Sequence, residues 1–187
     1  LAKQGLARID DVTVVAAGKV RLDTFTDVYE ADRVKRTYDL GDLAPELPRR
    51  TLLGRVSLKR REIIEAGISI PYGGSTYVLE TDQTSRESVS GVVAAIGAGA
   101  PLPLNSDGTP NGSGTGTHIS WRMRDNTDLL LSAAEFVSTL AVPLLNHVNG
   151  AHLASRAHKA AIAALTTWAE VEAYDLNTGW PPVADPV

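Results

Sequence analysis

Period two governs the start of the chain. Val20, Leu22, Thr24, Thr26 and Val28 alternate with Arg21, Asp23, Phe25, Asp27 and Tyr29, which is the signature of a strand. The β-branched run Ile9-Asp10-Asp11-Val12-Thr13-Val14-Val15 precedes it, Ala17-Gly18-Lys19 supplies a turn, and the pair predicts a hairpin. Phe25 and Tyr29 stand among charges, so apolar groups fall on both faces, and a two-stranded hairpin has no layer against which to bury them. Residues 35–53 hold Gly41, Pro45, Pro48 and the pair Arg49-Arg50 with little periodicity and read as an extended arm. Residues 1–54 are therefore expected to dock onto a partner. The contact set is Val20, Leu22, Phe25, Val28 and Tyr29, with Arg49 and Arg50 pairing acidic groups across the interface.

Helical spacing then takes over. A helix is expected over 55–66, with Val56 and Ile63 inward, the basic run Lys59-Arg60-Arg61 outward, and Gly67 at its C-terminal end. Ile68-Ser69-Ile70-Pro71-Tyr72 and Ser75-Thr76-Tyr77-Val78-Leu79-Glu80 flank Gly73-Gly74, the strongest hairpin signal in the chain. Thr84-Ser85-Arg86-Glu87 has capping-box form and opens a helix over 85–97, with Val89, Val92, Val93 and Ile96 inward. Residues 97–117, with six Gly, three Pro and one charge, predict a flexible loop. His118-Ile119-Ser120-Trp121-Arg122-Met123 and Leu129-Leu130-Leu131 read as strands about an Asp125-Asn126 turn. Ser132-Ala133-Ala134-Glu135 caps a long helix, which Pro143 should kink and Gly150 should soften into two. Thr167-Trp168-Ala169-Glu170 opens a short last helix, and Gly179-Trp180-Pro181-Pro182 ends regular structure. Trp121, Phe136, Leu140, Ile162, Leu165 and Trp168 are expected to share one core. The fold class is α+β: an N-terminal β-hairpin and arm at 1–54, then small β-hairpins packed with a C-terminal helical hairpin at 55–187.

Composition excludes more than it names. The chain has 187 residues, 43% apolar and 21% charged, which suits a folded domain. It has no cysteine, which removes disulfides, thiolate nucleophiles and Cys-based zinc sites. A net charge of −4 argues against nucleic acid held by phosphate neutralisation. No apolar run approaches the ~20 residues of a membrane span. No basic start followed by an apolar segment marks a signal peptide, and Leu1 in place of Met fits a start that was cleaved or left out.

Catalytic patterns fail in turn. His147 and His152 are five apart, and His152 and His158 six, so neither pair shares a helical face as a metal pair would; with His118 they are expected to be solvated or at interfaces. Gly112-Ser113-Gly114-Thr115-Gly116 lacks the Gly-Lys-Ser/Thr ending of a phosphate loop. Asp125-Asn126-Thr127-Asp128 lacks the Gly and closing Glu of a calcium loop, and no Gly-x-Ser-x-Gly elbow occurs. Paired carboxylates for glycoside hydrolysis form only in the fold, but aromatic platforms are scarce. No enzymatic activity, cofactor or metal is expected.

From Arg60 to Pro182 the chain resembles an uncharacterised domain at the C-terminal end of bacteriophage tail-fibre and tail-associated proteins. The resemblance is carried, in order, by the Arg-rich helix before Ile68, the hairpin with Gly73-Gly74 and Tyr77, and residues 82–86. Ile119-Ser120-Trp121-Arg122 with Asp125-Asn126, Ser132-Ala133-Ala134-Glu135-Phe136 and His147-Val148 follow. Lys159-Ala160-Ala161-Ile162-Ala163-Ala164, Thr166-Thr167, Ala169-Glu170-Val171 and Gly179-Trp180-Pro181 close the set. Residues 97–117 look like an insertion, and residues 1–50 lie outside the resemblance. It implies a location in the virion tail rather than a reaction: a structural part of a fibre, tip or baseplate. The partners it implies are other tail proteins and further copies of the chain, around a threefold axis as in phage fibres generally. A fibre-assembly chaperone and a tip that binds a host-surface receptor or glycan through residues 97–117 are the competing expectations.

Overall fold

The computed structural model describes residues 8–11, 13, 15, 18–29, 33–42 and 44–185. Val12, Val14 and Ala17 of the expected first strand and turn lie outside the described residues. The class is α+β, in two compact units: one of residues up to Leu52 together with Ile162–Tyr174, the other of Leu53–Ala161 and Asp175–Val187.

The first unit is built on strands β1 (Arg8–Asp11), β2 (Lys19–Tyr29) and β3 (Arg33–Asp42) in the order β1-β3-β2. This corrects the expected hairpin. β2 pairs antiparallel with β3, and β1 lies parallel on the far side of β3, with Ile9 opposite Val34. The extended arm is corrected as well. Its first half is β3, where Val34, Arg36, Tyr38 and Leu40 continue a period of two, and its second half opens helix α1 (Glu46–Glu65). Pro48 sits in the first turn of that helix, where a missing N–H costs nothing because that donor would be unpaired in any case. Helix α5 (Trp168–Ala173) completes the unit, capped reciprocally by Thr167 and Glu170. Its Trp168 ring leaves room only for glycine at the β2 turn: a Cβ at Gly18, whose φ is +75°, would lie 2.6 Å from Trp168 Cδ1.

The second unit gathers two hairpins and two long helices. Strands β4 (Ile68–Tyr72) and β5 (Ser75–Leu79) turn through Gly73 and Gly74 at φ 58° and 82°, a left-handed pair that glycines adopt without strain. Strands β6 (His118–Arg122) and β7 (Asp128–Ser132) form the second hairpin, with Asn126 at φ 65° in its loop. The two meet where Arg124 N–H donates to Val78 O at 3.0 Å. Helix α2 (Gln83–Gly97) starts two residues earlier than expected, because the N-cap is Asp82 rather than Thr84: its carboxylate accepts the Ser85 N–H at 3.0 Å.

The last helical run begins at the expected capping box. Ser132 N–H donates to Glu135 Oε2 at 2.9 Å, and the Ser132 hydroxyl accepts from Glu135 N–H. Tyr72 OH donates to the other Glu135 oxygen at 3.2 Å, tying the first hairpin to the helix start. The Ser132 hydroxyl also donates to Glu135 Oε2 at 2.6 Å, and this bond first, with those from Ser132 N–H and Tyr72 OH, holds the Glu135 carboxyl below its ordinary value. The run passes through α3 (Ala133–Phe136), a π-turn (Val137–Ala141) and α4 (Val142–Ala164). Pro143 does not break it. The wide turn just before it, closed by Val142 N–H on Val137 O, makes room for a ring that would clash with the carbonyl four residues back. Gly150 stays inside one continuous helix, with Pro181 filling the space beside it.

Phe136 and Leu140, both fully buried, centre a core with Ile68, Ile70, Leu79, Val89, Met123, Leu129, Leu131 and Leu144. Between α2 and β6, residues 98–117 form no named element but are threaded by polar bonds. Leu104 bridges to both Pro110 and His118, and Asn111 Oδ1 accepts from Ser113 N–H and Thr115 N–H at 3.0 and 3.1 Å.

Gly91 lies in α2 with open space where a Cβ would stand. Gly91→Ala is therefore expected to stabilise the chain by about 0.5–1 kcal/mol through helix propensity alone. Ser132→Ala should destabilise it by about 1 kcal/mol through the lost cap. Urea unfolding followed by circular dichroism checks both, and a destabilised Gly91→Ala would contradict the open space.

Candidate functional site

The β2–β3 ribbon carries the most distinctive surface. On one face, cross-strand pairing sets Phe25 opposite Tyr38 and Asp27 opposite Arg36. The two rings meet edge to face at 5.5 Å, and the Arg36 guanidinium lies 3.8 Å over the Phe25 ring. Arg36 also donates twice to Asp27, Nε to Oδ1 and Nη2 to Oδ2, each at 2.8 Å. That bidentate pair holds the Asp27 carboxyl below its ordinary value and raises Arg36 further above its own. Next along the face, Arg21 lies 4.3 Å over Tyr38 and pairs with Asp11. Asp11 is held low first by the Thr13 N–H and then by Arg21. The face is a ladder of rings interleaved with cations, each cation anchored by a carboxylate.

The other face presents Val20, Leu22 and Val28, which remain 42%, 41% and 54% exposed. β2 is the sheet's outer strand, and among the described residues it pairs on one side only. Its register slips midway: Arg21 to Phe25 spans four positions, while the opposing Leu40 to Tyr38 spans two. This bulge bends the strand around Leu22, Asp23 and Thr24. What remains is a long edge, exposed on both faces, with unpaired main-chain groups that can accept another strand.

The expected contact residues divide accordingly. Val20, Leu22, Phe25, Val28 and Tyr29 all lie on β2 and are exposed, Tyr29 at 79%. Arg50 is exposed on α1, whereas Arg49 is half-buried and donates to Leu165 O and, at 3.5 Å, to Glu46. Arg49 thus holds the end of α4 within the first unit. Tyr38 and Arg36 fall in residues 35–53, which read as an arm, and Asp27, on the expected strand, gains its role only through its pairing with Arg36. The alternation Val34, Arg36, Tyr38, Leu40 was the available signal. The expected single core also divides. Trp121, half-buried, packs edge-on to Phe136 at 5.2 Å with Leu140 nearby, while Ile162, Leu165 and Trp168 belong to the first unit.

Elsewhere the chemistry is structural. His147 and His158, expected to be solvated or at interfaces, are buried. His147 Nε2 bonds Ile63 O at 2.8 Å, and His158 Nε2 bonds Thr178 O at 2.9 Å while stacking on Trp180. No three His, Asp or Glu side chains come close enough to hold a metal ion among the described residues. No described helix is long and apolar enough to cross a membrane. An open groove of about 620 Å³ runs between α2 and α4, lined chiefly by Val89, Val93, Ala141, Leu145 and Val148.

Residues 48–178 match the family described as Domain of unknown function (DUF4376), and the chain belongs to that family. No curated protein and no solved structure matches the chain. The match begins inside α1, so the β1–β3 sheet lies outside it.

The Asp27–Arg36 pair gives this ribbon a stated pH response. A carboxyl held below its ordinary 3.8 in the fold contributes stability that is complete above that value and lost as pH falls through the lower folded one. Arg36→Ala is expected to return Asp27 toward 3.8 and to narrow that acid window. A carboxyl titration by NMR checks this, and an unchanged Asp27 would contradict the pairing.

Proposed function

We propose that the chain is a structural component of a bacteriophage tail, in a fibre, tip or baseplate, and that it docks onto other tail proteins through its N-terminal ribbon. The observation that carries the docking role is β2: an eleven-residue edge strand with exposed apolar side chains on both faces. Such an edge is a hazard for a monomer and a resource for an assembly, because a neighbour's strand satisfies its main chain and covers its side chains together. Placement in a tail rests on the ordered resemblance of residues 60–182 to the C-terminal domain of tail-associated proteins. The role so assigned is mechanical, with no substrate and no cofactor. The family domain supplies a folded body, and the segment outside it supplies the attachment.

Quantitative mass spectrometry of purified virions of the phage that encodes the chain tests the proposal. Peptides from both units at a fixed ratio to the other tail proteins are the expected result. Presence in infected cells but absence from finished particles would replace a resident component with an assembly chaperone.

A further inference from the structure

We propose that the β2 edge pairs with the β2 edge of a second copy of this chain, antiparallel about a twofold axis through Thr24. The proposal rests on reading β2 as a docking edge, but not on where the chain resides.

The residues themselves select the register. An antiparallel pair centred on Thr24 sets each position opposite the one whose number completes 48. Val20 then meets Val28 of the second copy, Leu22 meets Thr26, Arg21 meets Asp27, and Thr24 meets itself. One face of the new seam is uncharged throughout, with Val20 on Val28, Leu22 on Thr26 and Thr24 on Thr24, and the other crosses opposite charges twice. Both kinds of cross-strand pair are stabilising. Neighbouring registers lose this match. Centring on Asp23 places that carboxylate against its own copy, and centring on Phe25 sets Asp23 against Asp27, each a like-charge contact directly across the ladder.

The bulge agrees with the same centre. Its residues, Leu22 to Thr24, lie at or beside the axis, so the regular triad Lys19-Val20-Arg21 of one copy faces the regular triad Asp27-Val28-Tyr29 of the other. Arg21 and Asp27 already hold Asp11 and Arg36 within the chain. Joining them across the seam extends two existing ion pairs into one alternating row. The exposure of Val20 and Val28, at 42% and 54%, is what this contact removes. Because the same patch serves both partners, the contact closes on itself at two copies, not at the three that the resemblance to phage fibres implies, and it leaves the ring-and-cation face of each ribbon for other tail proteins.

The absence of cysteine makes a direct test clean. In this register Thr24→Cys brings two thiols to directly opposed positions, about 4.5–5.5 Å apart at Cα and inside disulfide reach. Leu22→Cys leaves its thiols four residues out of step, roughly 13 Å apart, beyond that reach. Under mild oxidation the full-length Thr24→Cys chain should become a covalent dimer and Leu22→Cys should stay uncrosslinked. A mixture of Val20→Cys and Val28→Cys chains should crosslink only to one another. Sedimentation equilibrium of the unaltered chain should show its mass doubling with concentration. A mass that stays monomeric or reaches a trimer, or a Leu22→Cys dimer as abundant as that of Thr24→Cys, would overturn the pairing. A chain that is monomeric in solution yet stoichiometric in virions would overturn the self-pairing alone and leave tail docking standing.

Discussion

The unpaired edge of β2 is the constraint around which the first unit is organised. Of the three strands described, β1 lies against the far side of β3, so β2 has a neighbour on one side only. The chain protects one face with its own chemistry. Arg21 and Arg36 lie over Tyr38 and Phe25 and are pinned there by Asp11 and Asp27, so each ring has a cation over its face and each cation a carboxylate beside it. On the opposite face, among the described residues, Val20, Leu22 and Val28 stay exposed. A bulge at the middle of the strand bends it and separates two regular stretches, residues 19–21 and 25–29.

The second unit follows a different economy, with its polar groups turned to fixing geometry. Buried imidazoles bond backbone carbonyls, Glu135 serves both the cap of Ser132 and the hydroxyl of Tyr72, and Trp180 Nε1 donates to Leu176 O at 2.8 Å. Each satisfies a donor or acceptor that burial would otherwise penalise.

What the sequence revealed depended on how local the signal was. The Gly73-Gly74 turn, the caps at Ser132 and Thr167 and the alternation of β2 are each complete within a few residues, and each stands in the structure where expected. β3 escapes a local reading because Gly41 lies within it and two prolines follow it closely, and the first turns of α1 because prolines at 45 and 48 resemble a break when they sit at a helix start. The parallel pairing of β1 with β3 skips over β2, and no local pattern encodes such a crossing. The candidate site was half legible for the same reason. The apolar residues of β2 follow from period two, but the ring-and-cation ladder needs the register, and the two extra residues of the bulge shift it. The stripe of α4 misled in another way: its spacing continues through Ile162, while the helix passes from one compact unit to the next just before that residue.

Cross-linking of intact virions with an amine-reactive reagent, read by mass spectrometry, tests most directly whether the ribbon is the attachment. Lys19 and Lys35 report from the two paired strands, and Lys59 and Lys159 report from the second unit. Links from Lys19 and Lys35 to other polypeptides or to a second copy, outnumbering those from Lys59 and Lys159, are the expected result. Ribbon lysines linked only within their own chain, with the second unit carrying the contacts, would contradict it.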